Sequence, residues 1–524
     1  MSETNPAQPV EAPSAPGRPW LKAYPADIPW DQPFSPTLLG TLLDEAVAAH
    51  GPRACTYFMG KRLTYEEIGA LSDRAAKGLR ALGVGEGVKV GLLLPNTPTF
   101  VIFYFGVLKA GGTVVNFNPL YSLDEIEFQI RDSDTKIMVT LDLKLLFEKV
   151  EAMLQRCALE KAVVASFTAL LPSLKAVGFK VSRGRTLAKV GRSRQKKHIV
   201  REKDLLANDG RYEKPAITPD AIAILQYTGG TTGTPKGAML THANISINVA
   251  QVKLWRNQVL RAEDRVLGIL PLFHVFAMTT VMNLGIASGM EIILLPKFEL
   301  ISTLRLIGRL RPNMMPGVPT LFNAMLRHPT IKTFDLTSLE FCISGGAALP
   351  IEVKRGFEKL SGGSVVEGYG LSETSPVATC NPLDTTKEGS IGLPLPGTEI
   401  AIRSLDNPAE EVTRGEAGEI CIAGPQVMTG YWKKPAETEA AFVGRFFRTG
   451  DVGYMDEDAY VFIVDRIKDM TERRIQIYPR RIEDALYQHL RRSAASLVCL
   501  DEHRGEAPKA FVRLKEGHDA TRRS

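Results

Sequence analysis

Short apolar segments alternate with amphipathic ones along the first two thirds of the chain. Residues 88–94 and 113–117 have the β-branched, apolar composition of buried strands, and residues 97–109 between them are typical of a helix. Ser122 and Glu125 have the spacing of a capping box, which predicts that a further helix begins there. This alternation predicts an α/β fold with largely parallel sheets covered by helices.

Later predicted strands end close to Gly, Pro or a polar turn, which is where ligands bind in α/β sheets. These strands are at residues 221–226, 266–270, 291–295, 341–344 and 365–367. From Gly397 onward the strands become closely spaced and are broken by Gly and acidic turns, which predicts a smaller β-rich subdomain. Its strands are expected at residues 399–403, 419–423 and 460–464.

The composition is that of an ordinary globular protein. With 44% hydrophobic and 23% charged residues, the 524-residue chain is not a collagen, a coiled coil or a wholly disordered protein. The longest weakly polar run, residues 275–290, is too short and too polar to span a membrane. Residues 1–25 lack the pattern of a signal peptide, so we expect a flexible tail and a cytoplasmic protein.

The positive charge is concentrated in one segment. Residues 175–203 contain eleven Lys or Arg residues and a single acid, Glu202, although the whole chain has a net charge of only +6. The mostly apolar residues 167–179 lead into this segment. Together, residues 167–203 have the composition of a segment that rests on an anionic membrane, on the inner face in a cytoplasmic protein. A solvated, partly disordered insertion is the alternative, because the bases show no clear helical periodicity.

The sharpest chemical signal is the sequence YTGGTTGTPKG at residues 227–237, directly after the predicted strand 221–226. Its glycines let backbone N–H groups approach an anion closely, while its threonine hydroxyls and Lys236 add donors and a positive charge. These features predict a loop that binds a polyphosphate. It is not a Walker A loop, because Lys236 follows Pro235 and precedes Gly237 rather than Ser or Thr.

Five further motifs follow the loop in order: PLFH at 271–274, SGGAALP at 344–350, EGYGLSET at 367–374, FRTGD at 447–451 and VDRIKD at 464–469. Together these motifs resemble the adenylate-forming superfamily, and they are most similar to bacterial long-chain fatty acid CoA ligases. The resemblance implies an N-terminal lobe at 26–465, with two α/β subdomains and a β-rich one, and a small α+β lid at 466–524. It also implies that a long-chain fatty acid reacts with ATP and then with CoA to form acyl-CoA.

The resemblance further implies roles for individual residues. The ATP-binding residues would be Thr228, Gly229, Gly230, Thr231, Thr232, Gly233, Thr234, Lys236, Gly345, Gly346, Glu367, Gly368, Tyr369, Ser372, Asp451, Arg466 and Lys468. Thr228 and Glu373 would hold Mg²⁺, a cation that prefers oxygen ligands. Lys236, Glu373 and His274 would be catalytic, with His274 at the entrance of the acyl tunnel. Asp451 and Arg466 would hold the ribose, and Lys468 would be the hinge of the lid.

The lid departs from the family pattern. Residues 470–479, MTERRIQIYP, lack the glycine that lines the pantetheine path, and no counterpart of the family's late lysine follows. We therefore expect a truncated lid, and keep a second function open: an ATP- and acyl-binding protein impaired in turnover. No nucleic-acid partner is expected. The sequence leaves the chain-length preference and the oligomeric state open, with a homodimer as one option.

Overall fold

The computed structural model describes residues 17–228, 234–256, 261 and 263–467, together with the backbone of residues 492–499 and 508–514. The strands, in chain order, are β1 Ala54–Phe58, β2 Lys61–Thr64, β3 Lys89–Leu92, β4 Thr113–Asn116, β5 Thr135–Leu141, β6 Lys161–Ala165, β7 Ile199–Arg201, β8 Ile222–Thr228, β9 Lys236–Thr241, β10 Arg265–Gly268, β11 Glu291–Leu294, β12 Met314–Gly317, β13 Phe341–Ser344, β14 Ser364–Gly370, β15 Val377–Cys380, β16 Leu393–Pro394, β17 Glu399–Arg403, β18 Gly418–Ala423, β19 Gly430–Tyr431, β20 Phe442–Val443, β21 Phe446–Met455, β22 Val461–Arg466, β23 Arg492–Cys499 and β24 Pro508–Leu514.

The α-helices, in chain order, are α1 Leu39–His50, α2 Tyr65–Ala81, α3 Pro98–Lys109, α4 Leu123–Ser133, α5 Lys144–Arg156, α6 Ser173–Arg183, α7 Glu202–Leu205, α8 His242–Trp255, α9 Val275–Ala277, α10 Leu284–Ala287, α11 Leu300–Leu310, α12 Pro319–Leu326, α13 Ile351–Ser361 and α14 Pro435–Ala440. A π-helix, Met278–Asn283, connects α9 to α10, so that residues 275–287 form one helical segment.

The first large sheet has eight strands in the order β19-β9-β8-β4-β3-β5-β6-β7. The strands from β8 to β7 are parallel, and β9 and β19 add two antiparallel strands at one edge. Helix α3 is buried along its whole length, as expected for a helix that is apolar on every face.

The second large sheet has nine strands in the order β16-β15-β14-β13-β12-β10-β11-β1-β2. Its central strands are parallel, whereas β2, β15 and β16 are antiparallel to their neighbours. Val90 and Val114 of the first sheet belong to the same hydrophobic core as Val266 and Ile343 of the second. This shared core holds the two α/β layers together.

A smaller antiparallel sheet follows, with the order β17-β18-β21-β20 and with β22 paired to β21. It confirms the β-rich subdomain predicted from residue 397 onward. In the C-terminal region, β23 and β24 form an antiparallel hairpin. The predicted α/β class is also confirmed, and the capping box is present: the Glu125 N–H donates to Ser122 Oγ, and the Ser122 N–H donates to Glu125 Oε2.

The prediction of a flexible tail over residues 1–25 is wrong for residues 17–25, and residues 1–16 lie outside the described residues. Pro19–Lys22 form a 3₁₀ turn in which Trp20 is only 1% exposed. The Trp20 ring lies 6.0 Å from the ring of Trp30. Burying two indoles removes enough apolar surface from water to offset the cost of ordering the segment.

The alternative of a partly disordered insertion at residues 175–203 is also corrected. The insertion begins within helix α6 and continues through short 3₁₀ turns to β7, which pairs in parallel with β6. It is therefore an ordered part of the first sheet's edge. Ala176 and Phe179 of α6 pack against the main hydrophobic core, which holds the start of the insertion in place.

Candidate active site

The predicted phosphate loop connects two paired strands. β8 ends at Thr228 and β9 begins at Lys236, and these two residues lie directly opposite each other in the antiparallel ladder. The sheet therefore fixes both ends of the loop. Thr234 is exposed beside the loop's second end. The predicted phosphate ligands Gly229, Gly230, Thr231, Thr232 and Gly233 lie outside the described residues.

Tyr431 connects Lys236 with Glu373. Its hydroxyl donates a hydrogen bond of 2.8 Å to Glu373 Oε1, and its ring centroid lies 5.1 Å from Lys236 Nζ. Glu373 is only 8% exposed. Burial raises the pKa of Glu373, and this effect is opposed by the Tyr431 hydroxyl and by the positive charges of Lys236 and Arg466. The carboxylate therefore lies in a positive, largely water-free environment.

The position of Tyr431 is set by the first sheet. Strand β19 pairs with β9, which places Tyr431 opposite Ala238, two residues after Lys236. The next residue, Trp432, donates its backbone N–H to the Gly237 carbonyl and its indole N–H to the Asp132 carbonyl. Sequence reasoning missed Tyr431, because a lone aromatic residue far from the recognised motifs carries no signal of its own.

A second cluster is centred on Asp451. Its Oδ2 accepts a 2.7 Å hydrogen bond from the Tyr369 hydroxyl, and its Oδ1 lies 2.9 Å from Arg466 Nε. Asp451 and Arg466 are direct partners in the β21–β22 ladder. The Asp451 carboxylate is buried and held at both oxygens, so its direction is fixed. Tyr369, near the end of β14, and Glu373, in the 3₁₀ turn that follows β14, are only four residues apart, so the two clusters are neighbours.

The end of β13 brings glycine backbone to the same region. A Cβ at Gly345 would lie 3.1 Å from the Phe276 ring, and Gly346 has a φ of +79°, a conformation that favours glycine. Glu367 Oε2 accepts a 3.0 Å hydrogen bond from the Leu349 N–H. The contact observed for the Glu367 side chain thus holds the 345–350 loop against β14.

The remaining predicted residues lie around these clusters. Gly368 and Tyr369 are on β14, and Ser372 starts the 3₁₀ turn that carries Glu373. His274 is exposed immediately before the helical segment 275–287, and its ring lies 4.7 Å from that of Phe273. Lys468 lies outside the described residues.

A comparison with protein families identifies the family of the chain. A family model described as "AMP-binding enzyme" matches residues 43–432.

The chain belongs to the AMP-binding enzyme family.

Individual relatives agree with this assignment. A long-chain-fatty-acid–CoA ligase from Bacillus subtilis (strain 168) is 42% identical over 519 residues, which cover 96% of this chain and 90% of that protein. A protein of the same name from Escherichia coli O157:H7 is 34% identical, covering 95% of this chain and 89% of that protein. The crystal structure of ATP-bound MatB from Rhodopseudomonas palustris has a TM-score of 0.79 at 26% identity, covering 93% of this chain and 90% of that chain.

This AMP-binding enzyme also contains an apolar cavity beside β13 and β15. Its walls include Ile343, two residues before Gly345, Val377 of β15 and Thr280 of the π-helix. Arg256 closes one side with its guanidinium carbon 3.3 Å from the centroid of the Phe341 ring. Along β13, the cavity wall is therefore two residues away from the glycine turn that follows the strand.

Proposed function

We propose that this AMP-binding enzyme activates long-chain fatty acids with ATP and transfers the acyl group to CoA. The observation that carries the proposal is the site formed by the Lys236–Tyr431–Glu373 cluster and the Tyr369–Asp451–Arg466 cluster, whose two carboxylates are buried. A cation beside the phosphate loop and a fixed acceptor carboxylate are the two features needed to orient a nucleoside triphosphate. The names of the relatives support the substrate class.

In the first step, an oxygen of the fatty carboxylate attacks the α-phosphorus of ATP. The new O–P bond forms as the bond to the bridging oxygen breaks, and pyrophosphate leaves. Lys236 and the 228–236 loop stabilise the charge that builds up on the leaving phosphates. Asp451 holds the ribose hydroxyls, so the α-phosphate presents one face to the carboxylate. Catalysis of this step depends on positioning and charge stabilisation, and no covalent intermediate with the enzyme forms.

In the second step, the CoA thiolate attacks the acyl carbonyl of the acyl-adenylate. The C–S bond forms, the C–O bond to AMP breaks, and AMP takes the electron pair as its phosphate oxygen. The same Asp451–Arg466 pair retains AMP during this step. Residues 468–491, which include the predicted hinge Lys468, lie outside the described residues, so we assign no further group to the thiol.

The residues present fit a magnesium ion bound together with the nucleotide. Among the described residues, no cluster of three or more His, Cys, Asp or Glu side chains could hold a metal alone. Mg²⁺ commonly uses one or two protein oxygens and the substrate phosphates, keeping several waters. Glu373 and Thr228 are the side chains that would hold it. When bound, the ion neutralises phosphate charge, and Tyr431 orients the Glu373 carboxylate towards it.

The apolar cavity lined by Ile343, Val377 and Thr280 is our proposed site for part of the acyl chain. Because the cavity is near the glycine turn, an alkyl chain bound there would extend away from a carboxylate at the α-phosphate. Burying methylene groups there contributes roughly 0.8 kcal/mol each. His274, at the start of the helical segment 275–287, is proposed to lie at the entrance.

An ATP- and acyl-binding protein impaired in turnover is not favoured. The departures that suggested it, a glycine missing from residues 470–479 and a missing late lysine, concern the C-terminal region, whose side chains lie outside the described residues, whereas the B. subtilis ligase is 42% identical over 96% of the chain. Purified protein incubated with palmitate, ATP, Mg²⁺ and CoA should form palmitoyl-CoA, AMP and pyrophosphate in equal amounts. ATP binding without palmitoyl-CoA formation would establish the impaired alternative.

We also propose a peripheral membrane contact through residues 167–203. None of the described helices is both long enough and apolar enough to cross a bilayer. Long-chain acids partition into bilayers, so a surface-bound ligase would meet its substrate there.

A further inference from the structure

Helix α6 presents apolar side chains to solvent. Leu174, Val177 and Val181 are 89%, 61% and 84% exposed, respectively. Their spacing of three and four residues places them on one face of the helix, and we call them the outer stripe. Isolated exposed apolar residues are ordinary, but three in one stripe form a contiguous patch that needs an explanation.

The opposite face of α6 is the one that packs on the protein. Ala176 and Phe179 contact the main hydrophobic core, and the Phe179 ring lies 5.0 Å from that of Phe167. Lys175 Nζ donates a 2.9 Å hydrogen bond to the Met59 carbonyl in the β1–β2 turn. The helix is therefore held in place by its inner face, and the outer stripe points away from the protein.

The basic segment, residues 175–203, overlaps α6 and continues along the chain after it. All eleven of its Lys and Arg side chains are exposed. In the part of the chain that the structure describes, none of the eleven forms an ion pair with Asp or Glu. Exposed Lys and Arg side chains elsewhere do form such pairs, for example Lys77 with Asp209 and Arg355 with Glu388. The segment thus has unneutralised charge available to a polyanion.

We infer that α6 lies flat on a bilayer rich in anionic phospholipid, with the outer stripe among the acyl chains and the basic segment on the lipid phosphates. This inference deepens the peripheral contact of the proposed function and rests on it. A nucleic acid would use the charges but would leave three aliphatic side chains in water. A bilayer satisfies both features, since it offers phosphates at its surface and hydrocarbon a few ångströms below.

Vesicle co-sedimentation of the full chain tests the inference. We expect binding to phosphatidylglycerol-containing vesicles and much weaker binding to pure phosphatidylcholine vesicles. Binding should weaken as salt is raised past about 0.15 M, where the screening length is about 8 Å. Leu174→Gln/Val177→Gln/Val181→Gln should lower the affinity for anionic vesicles at least about tenfold, because the stripe no longer enters hydrocarbon.

A second variant, which removes positive charge, tests how much the basic segment contributes to vesicle binding. Arg192→Gln/Arg194→Gln/Lys196→Gln/Lys197→Gln should lower affinity at least about tenfold and flatten the salt dependence. Its matched control removes the same charge from exposed bases outside the segment: Lys297→Gln/Arg305→Gln/Lys332→Gln/Lys359→Gln. The control for the stripe is Ile351→Gln, at the start of α13. Both controls should bind vesicles like the wild type, and all variants should keep its melting temperature and ATP affinity.

The inference is overturned if the wild type does not bind anionic vesicles, if the stripe variant binds them as well as the wild type does, or if single-stranded RNA competes fully for the protein. A protein that makes palmitoyl-CoA but ignores vesicles would refute the docking surface and leave the ligase function intact. A protein that binds vesicles through α6 but makes no acyl-CoA would refute the ligase function and leave the docking surface intact.

Discussion

The Tyr431 hydroxyl donates a 2.8 Å hydrogen bond to Glu373 Oε1, while the Tyr431 ring lies 5.1 Å from Lys236 Nζ. One side chain thus contacts both the proposed metal-binding carboxylate and the phosphate lysine. The pairing of β19 with β9 fixes the Tyr431 backbone, so the sheet sets this geometry. Tyr431 is therefore a positioning residue that acts through Glu373.

Tyr431→Phe removes the hydrogen bond and keeps the ring beside Lys236. A hydrogen bond to a charged group is worth about 1.5–3 kcal/mol, so we expect pyrophosphate release to fall by about tenfold to a hundredfold. Because the carboxylate loses its orientation, the Mg²⁺ concentration for half-maximal ATP binding, measured by calorimetry, should also rise. Tyr431→Leu should lower the rate of pyrophosphate release further, since it also removes the aromatic ring beside Lys236.

The matched control is Tyr460→Phe. The Tyr460 hydroxyl also makes a hydrogen bond, to the Thr385 carbonyl, but belongs to neither cluster of the site. Loss of this hydrogen bond should lower the stability of the protein without changing pyrophosphate release or its Mg²⁺ dependence. Equal Mg²⁺ dependence in Tyr431→Phe and the wild type would mean that Tyr431 does not position Glu373.

Asp451→Asn tests the ribose assignment. The variant keeps the size of the side chain and loses the charge that faces Arg466 and the ribose hydroxyls. We expect kcat/KM for ATP to fall at least about tenfold, a loss of about 1.4 kcal/mol or more. The wild type should prefer ATP over 2′-deoxy-ATP or 3′-deoxy-ATP, and the variant should lose most of the preference. A variant that still discriminates as the wild type does would place the ribose elsewhere.

Val377→Phe tests the acyl cavity. Val377 is 4% exposed and lines the cavity, so a larger side chain there takes space from the alkyl chain. We expect kcat/KM for palmitate to fall at least about tenfold, while kcat/KM for hexanoate changes by less than about threefold. A melting temperature close to that of the wild type would exclude unfolding as the cause. Equal losses for both acids would rule the cavity out as the distal part of the acyl site.

His242 should make stability depend on pH. It is 1% exposed, its Nδ1 accepts the Leu39 N–H, and burial lowers its pKa to about 4. The unfolded chain binds a proton near pH 6.5 and the folded chain does not, so the free energy of unfolding should fall as pH drops from about 6.5 towards about 4. The full effect is roughly 3 kcal/mol.

Urea unfolding at a series of pH values measures this dependence. His242→Asn keeps a hydrogen-bond acceptor for the Leu39 N–H but cannot be protonated, so its stability should vary less across the same window. An identical pH dependence in the two proteins would show that other groups cause it.

The elements of the fold that carry strong local patterns could be predicted from the sequence. The boundaries predicted for residues 341–344 and 399–403 are those of β13 and β17. These strands combine short apolar runs with glycine or polar turns, and such signals are local. The 227–237 loop could be located for the same reason, because its glycines and threonines are contiguous.

The contacts that complete the site could not be predicted. Tyr431 and Glu373 are 58 positions apart, and long-range contacts bring them together: the pairing of β19 with β9 and the hydrogen bond from the Met428 N–H to the Glu373 carbonyl. The order of residues 175–203 could not be predicted, because the packing of Phe179 on Phe167 and the pairing of β7 with β6 leave no local pattern in the sequence. Trp20 was assigned to a flexible tail because its partner, Trp30, lies beyond the tail in the sequence.

Palmitate-dependent exchange of pyrophosphate into ATP reports formation of the acyl-adenylate without CoA, and so tests directly whether the protein activates fatty acids. We expect exchange in the wild type, and a reduction of more than about tenfold in both Lys236→Ala and Glu373→Ala, since each removes a charge that acts on the phosphates or the metal. No palmitate-dependent exchange in the wild type, or equal rates in the two variants and the wild type, would contradict this expectation.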